Sequence, residues 1–593
     1  MKKKNIFFSV LAASLLFTTS CESVFDYEIE DRVEYEDVFD DYYLTRNYVA
    51  TCYSYKPNFA SSSVQSTFLA TFTDETQFVD SDQGHNVYSY YRGEMTSSNI
   101  YINSSLYANM YEGIKHCNKL IAHIDEVPYF YIEAYRARWK GEVMILRAYY
   151  FWQLVKRYGP MPIIKEEIPV DYDFSQLVRP TMEECVDAIV EDCRAGMAEE
   201  GVIWRIVSSD ESKAMTKATA YAIMSEATLF GASPLWNPNN DADLWKKAYD
   251  VNKEALEQIT ANGYEIYDYT SGGLTGSYGP YQDYFLQGVE YISSPRNKEG
   301  ILMSNISFTD LWKTYGIPVN KDMGVTGTGM SPSQELVDAY ETVDGVPILN
   351  LENPYLDDNH TQPNYNPEAL VENGGMYDPN NPYENRDQRL RSTIYVNGDY
   401  HNQEKNTTLV ETFVGGNCGL LETGGQYTRT GYYMRKFLNW NSSTTNEAAG
   451  SWSIFRLAEI YLNFAEAALE SNGATDEAYE AVNIIRRRAG QPDLPIGLTT
   501  DEFRLRLRAE RRVEFAFEEH RYFDTRRWMT NQDSEGVVTG MRIEKQDDGS
   551  FMYNRFVVQN RNVTDDKYRL WPLTLTEQLK LERLGVYLQN TGW

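Results

Sequence analysis

The stretch "ERRVEFAFEEHRYFD" concentrates the groups best able to do chemistry. Glu510, Glu514 and Glu518 recur at four-residue spacing, with His520 and Asp524 close behind. On one face of a helix, such carboxylates and an imidazole can share acid and base work. Arg511, Arg512, Arg521, Arg526 and Arg527 are interleaved with them, however, and guanidinium groups hold neighbouring carboxylates ionised. A general acid has to keep its proton, so the expectation is structural ion pairing without catalysis.

Capturing a ligand without transforming it asks for flat apolar rings with polar tips. The chain has 46 Tyr among its 593 residues, and aromatics make up 14% of it. Tyrosine joins an apolar body to a hydrogen-bonding end, which suits a wet binding surface. The best clusters in loop-like stretches are Tyr88, Tyr90 and Tyr91 in "NVYSYYRGE", Trp236 in "SPLWNPNN", Tyr278, Tyr281 and Tyr284 in "GSYGPYQDYF", and Trp312 in "FTDLWKTYG". Taken singly, each is more often a packed aromatic than a ligand platform. The expectation is that at least two of them touch ligand.

Metal chemistry finds little support in the spacing. "DSDQG" (Asp80, Asp82) and "NPNNDAD" (Asp241, Asp243) are oxygen-rich, but Gly84 comes one position early for an EF-hand loop and neither supplies the terminal Glu. Both read as surface turns. No C-x-x-C or Cys/His ligand pattern occurs, so neither a metal nor a cofactor is expected. H-E-x-x-H, G-x-S-x-G and G-x-x-x-x-G-K-[ST] are absent, and Gly327 and Gly329 lack the third glycine of a dinucleotide loop. Five cysteines lie beyond Cys21, too odd a number to pair completely. Cys185 and Cys193, eight residues apart on one predicted helix, are separated by about 12 Å, beyond disulfide reach.

Helices have to position these groups. Segments near 99–124, 129–157, 181–198, 213–232 and 241–261 carry apolar residues at three- and four-residue spacing between short breaks. Hairpins of about 34 residues are the unit of tetratricopeptide-type solenoids, although the full repeat signature is missing. The run "VMILRAYYFWQLV" is apolar on nearly every side, as an inner helix of stacked hairpins would be, and Arg147 within it needs a carboxylate or carbonyl partner. From about 263 to 450 the texture changes: ten of the 21 prolines fall between Pro280 and Pro382, which predicts loops, turns and short strands. One helix interrupts them, with Ser331 and Gln334 as a capping box around Pro332 and Gly345 past the end. Helices return at 453–471, 475–489 and 500–520, the second stopped near Gly490 and Pro492. Thr574 and Glu577 open one more.

The N-terminus begins with Lys2, Lys3 and Lys4 and an apolar stretch from Ile6 to Phe17, shorter than the roughly 20 residues of a membrane-spanning helix. It reads as a secretion signal. Small residues before Cys21 point to acylation of that cysteine as the new first residue, with Thr18 standing where Leu is usual; a plain secretory signal is the alternative. From Glu22 to Asp41, ten acidic residues face a single Arg, a run read as a solvated tether. The formal net charge of −31 becomes −34 without the three signal lysines, which argues against nucleic-acid partners.

Eight blocks, in order, resemble SusD/RagB-like outer-membrane lipoproteins: "KGEVMILRAYYFWQLVKRYGPMPII", "SPSQELVDAYETVDGVPI", "ENRDQRLRSTI", "GYYMRKF", "FRLAEIYLNFAEAALE", "VNIIRRRAG", "RRVEFAFEEHRYFDTRRW" and "YRLWPLTLTEQ" through to "NTGW". The resemblance implies a mainly α, SusD-like fold, with a tetratricopeptide-like hairpin scaffold carrying long irregular loop insertions and a few short strands. It also implies a non-enzymatic surface protein. Such a protein is held in the outer membrane through Cys21, caps a SusC-like TonB-dependent transporter and captures an oligosaccharide, or in some relatives a peptide. A rival from the residues alone is a surface glycoside hydrolase using two carboxylates. The expected organisation is a signal peptide at 1–20, a tether at 21–40, and one compact unit at 41–593. That unit comprises a helical part (41–262), a loop-rich ligand-site insertion (263–450) and a second helical part (451–593).

Overall fold

Apolar periodicity at helical spacing becomes a stack of paired helices. In the computed structural model, which describes residues 35–57, 67–79, 86–100, 105–206, 214–268, 276–286, 297–306, 318, 328–420, 427–438, 450–563 and 565–593, the first part comprises α1 (Tyr42–Ser54), α2 (Leu106–His123), α3 (Ala134–Tyr158), α4 (Met182–Ala198), α5 (Lys217–Ala232) and α6 (Ala242–Ala261). Each packs on the next from α2 to α6. Helix α3 is the inner helix its sequence implies, buried almost continuously from Gly141 to Tyr158. Its contact with α4 is set by two glycines: a Cβ on Gly141 would come within 2.5 Å of the Gly196 carbonyl oxygen, so any larger residue would push the helices apart. Arg147 finds its partners, donating to both Asp192 oxygens (2.8 and 2.9 Å), to Asn118 Oδ1 and to the Lys165 carbonyl. Among the described residues, no helix is long and apolar enough to cross a membrane.

The stack skips the middle of the chain. Helix α6 packs on α8 (Leu457–Asn472), which packs in turn on α9 (Asp476–Arg488) and α10 (Thr500–Glu514). Side-chain capping sets several starts, with reciprocal boxes at Thr181/Glu184 for α4 and Thr499/Glu502 for α10. The intervening stretch holds short elements. Strand β1 (Thr76–Phe78) pairs antiparallel with β3 (Met330–Pro332), and β2 (Gly300–Ile306) with β4 (Gly450–Arg456), the strand that leads into α8.

Three local expectations are corrected. Ser331 and Pro332 lie in β3, and the cap of α7 (Gln334–Ala339) is Ser333, whose hydroxyl accepts from Leu336 N. Sheet pairing claims Ser331 and Pro332, the residues expected as cap and first helical position, and Gln334 opens the helix instead. The helix expected over 500–520 stops at Glu514; Phe517 and Glu519 then adopt left-handed backbone (φ 64° and 69°) before α11 (His520–Arg527) begins. A bulky residue rarely adopts that conformation, and Phe517 N is anchored there by Glu75 Oε1. Finally, a hairpin of β5 (Val537–Lys545) and β6 (Phe551–Asn560) stands in a region to which no element was assigned; the last helix, α12 (Leu575–Arg583), follows it.

Candidate functional site

Five of the candidate aromatics face the interior. Tyr88, Tyr90 and Tyr91 lie in the helix Asn86–Tyr91, and all three are buried. The Tyr91 hydroxyl donates to the Thr71 carbonyl (2.8 Å), and the Arg561 guanidinium covers its ring at 4.1 Å. Tyr90 accepts from Arg526 Nη2 at 2.9 Å. Tyr281 and Tyr284, in the helix Pro280–Leu286, are likewise enclosed: Tyr281 donates to the Glu514 carbonyl (2.9 Å) and accepts from Lys436 Nζ (2.7 Å), while Tyr284 pairs with Ser453 Oγ (2.6 Å). A ring whose faces are covered and whose hydroxyl is spent offers a sugar no platform. The amphipathic character that suggested binding serves here to pack a core with its polar tips satisfied. Tyr278 is half-buried beneath Arg435, and Trp312 and Cys21 lie outside the described residues.

Trp236 is different. It stands half-buried in the tight loop after α5, held by its own N–H on the Ser233 carbonyl (2.9 Å) and by Leu235 N on the Arg527 carbonyl (3.1 Å). Asn237 and Asp241 close the loop through two mutual bonds, and Asp241 caps α6 through Asp243 N. This carboxylate therefore serves a turn, as its sequence suggested; Asp80 and Asp82 lie outside the described residues. Gly159 lets the indole approach the backbone, since a Cβ there would meet Cη2 at 3.0 Å. Trp236 lines a cavity of about 240 Å³ with Met182, Val186, Leu244, Glu183 and Lys247. Its Nε1 is buried without a hydrogen-bond partner. Lys247 pairs across the rim with Asp187. Indole, apolar wall, one carboxylate and one ammonium make a small amphipathic recess, below the size of a drug-sized pocket.

The carboxylates Glu510, Glu514 and Glu518 sit in a buried ion-pair network. Arg456 donates to Glu299, Glu514 and Glu518 at 2.7–2.8 Å; Arg488 reaches Glu299 and Glu514; Arg389 reaches Asp387, Glu510 and Glu514; and Arg486 joins Glu510 to Glu341. Burial pushes the carboxyl of Glu514 upward, but Arg488, Arg456 and Arg389 outweigh it and hold the group well below the usual carboxylate range. Ion pairing was expected, and Arg511 and Arg527 do pair with Asp524. The other interleaved arginines turn elsewhere, Arg512 and Arg521 to Asp74 and Arg526 to Glu535, while Glu510, Glu514 and Glu518 take their arginines from other segments.

One cluster had no sequence signal. Glu226 of α5, Glu459 of α8 and His520 of α11 bring two carboxylate oxygens and an imidazole nitrogen within 4.8 Å of one another. Burial, reinforced by Glu226, raises Glu459 well above its ordinary value, and burial with Arg511 lowers His520 to about 4. The three residues come from separate helices, so no spacing rule joins them.

Stacked helical hairpins around short strands and irregular insertions make this a mainly α protein. A family model described as "SusD family" matches residues 289–593, more than half of the chain, and one described as "Starch-binding associating with outer membrane" matches residues 28–229. The chain belongs to the SusD family. Solved structures with a similar fold include a SusD-like protein from Bacteroides fragilis (23% identity, TM-score 0.73, covering 94% of this chain and 98% of that one). Another is a SusD-like carbohydrate binding protein from the same species (18%, TM-score 0.65, 91% and 98%). A third is surface glycan-binding protein A from Bacteroides fluxus (18%, TM-score 0.57, 95% and 100%). No curated protein matches the chain.

Proposed function

We propose that this protein is a non-catalytic, surface-exposed lipoprotein that binds an oligosaccharide and passes it to a SusC-like TonB-dependent transporter in the outer membrane. Membership of the SusD family carries the reading, and the match to a family of starch-binding, outer-membrane-associated proteins agrees with it. The Trp236 recess supports it locally. An indole beside one carboxylate and one ammonium gives a surface for stacking and orienting a sugar. Acylated Cys21 anchors the chain through the acidic run that follows. Tyr278 and Trp312 remain aromatic candidates for further contacts.

The test uses the full chain in detergent. Titration with starch-type and other oligosaccharides should quench tryptophan fluorescence, Trp236→Ala should weaken the response, and a tagged copy should bring down an outer-membrane barrel. Cys21→Ala should release the protein from the membrane with its fold and affinity intact. Absence of both glycan binding and a barrel partner sinks the proposal, and a peptide that binds where no glycan does replaces its ligand class.

A further inference from the structure

We propose that the helical core holds a divalent transition-metal site made by Glu226, Glu459 and His520. Its ligands come from α5, α8 and α11, so an ion there would pin the first helical part of the stack to the second.

The strongest observation is an unsatisfied oxygen. Glu459 is 1% exposed, and its Oε2 has no hydrogen-bond partner. Its other oxygen accepts a long bond from Asn463 Nδ2 at 3.4 Å. Leaving a buried acceptor unmatched is costly, so the position calls for a donor or a cation. His520 Nε2 faces that oxygen at 4.0 Å. The gap is too wide for a hydrogen bond. A tetrahedral ion bound at about 2.0–2.2 Å from each atom fits it after a closure of roughly half an ångström. The imidazole is held in place by Phe515, with ring centroids 4.5 Å apart.

Glu226 completes the set. The Trp152 indole N–H donates to its Oε2 and fixes the carboxylate plane, as partners behind metal ligands do. A cavity of about 30 Å³, lined by Glu226 and His520 together with Gln153, Glu518 and Glu519, has room for a water as a further ligand. One imidazole and two carboxylates, with no thiolate, suit zinc or a similar ion better than calcium, which takes six or more oxygens. Lys156 is the competing cation, with Nζ 3.2 Å and 3.4 Å from the two Glu226 oxygens. If that ammonium neutralises the cluster alone, a water bridges His520 and Glu459 instead.

Calorimetry on the full chain in detergent, stripped with chelator and titrated with Zn²⁺, separates these outcomes. One high-affinity equivalent per chain is expected, accompanied by a rise in Tm. Glu459→Gln and His520→Asn should each weaken binding by at least about 100-fold and abolish the Tm rise, while the metal-free variants unfold near the metal-free parent. Zinc-edge X-ray absorption on the unmodified chain keeps the test open should a variant misfold, and mixed nitrogen and oxygen ligation near 2.0–2.1 Å is expected. Undiminished binding in both variants, an all-oxygen shell, or no tight equivalent would overturn the site.

Discussion

Glu514 and Glu459 are buried equally deeply in one helical core, yet the protein treats their protons in opposite ways. Arginines surround Glu514: Arg456, Arg488 and Arg389 all reach it, and it stays ionised far below the usual carboxylate range. Around Glu459 there is one long amide bond and an unmatched oxygen, and burial raises its carboxyl well above the ordinary value. Depth does not separate the two; the supply of guanidinium donors does. Removing an ion from water costs several kcal/mol, recovered only when opposite charges and hydrogen bonds match it closely. Guanidinium groups meet both Glu514 oxygens, whereas Glu459 keeps one oxygen unmatched.

The largest expected effect comes from unbalancing the Glu514 cluster. Arg488→Leu leaves Glu299 and Glu514 short of a counter-charge in a dry interior and should cost about 3–5 kcal/mol of stability, read from denaturant or thermal unfolding. Glu459→Gln, which resembles the protonated carboxyl in shape, should change the stability of the metal-free chain by less than about 1 kcal/mol. Equal losses from the two substitutions would erase the contrast.

That contrast also marks how far the sequence was legible. Apolar spacing located α2 to α6 and α8 to α10, because packing in a stack of hairpins preserves local periodicity. The need of Arg147 for a partner was readable from its apolar neighbours, and Asp192 supplies it. The break after Glu514 was not readable, since "VEFAFEEH" contains neither Gly nor Pro and the left-handed turn at Phe517 is held by distant Glu75. The β5–β6 hairpin does carry a local signal: alternating residues flank "QDDGS", where Gly549 turns at φ 88°. Of the candidate site, Trp236 was legible as a loop aromatic beside turn residues. The burial of Tyr281 and Tyr284 was not, because the Ser453 hydroxyl and the Glu514 carbonyl that satisfy them arrive from far along the chain. The cluster of Glu226, Glu459 and His520 belongs to tertiary structure alone.

Neighbouring carboxylates repeat the comparison near β1, and pH can sharpen it. Asp74 is held at about 2: burial opposes the charge, but Arg512 and Arg521 prevail. Glu75, beside it, is raised to about 8, first by burial and then by the Asp74 charge. The folded chain therefore keeps the Glu75 proton up to about pH 8, whereas the unfolded chain releases it near 4.5. Between those values the folded state binds more protons, so this group makes stability fall as pH rises. Glu75→Gln removes that slope and keeps an oxygen for Phe517 N. The variant should match the parent near pH 4 and exceed it by up to about 5 kcal/mol above pH 8, read from unfolding at both extremes. A gain at acid pH instead would reverse the assignment.

The smallest effect is expected one residue from the largest. Arg486, Arg487 and Arg488 are consecutive on α9, and the helical turn sends the middle one outward. Arg486 and Arg488 enter the carboxylate network with side chains 1% exposed, while Arg487 pairs with Glu480 and Asp493 at the surface with 49% of its side chain in solvent. Both environments present good distances, so geometry alone would assign the pairs equal worth. Water separates them: at the surface it screens the attraction and solvates whichever partner is left behind, and ordering two long side chains consumes much of the remaining gain. Arg487→Ala should therefore cost no more than about 0.5 kcal/mol, and added salt should shrink that further. A loss approaching that of Arg488→Leu would mean that the number of charge contacts, and not their removal from water, governs the stability of this core.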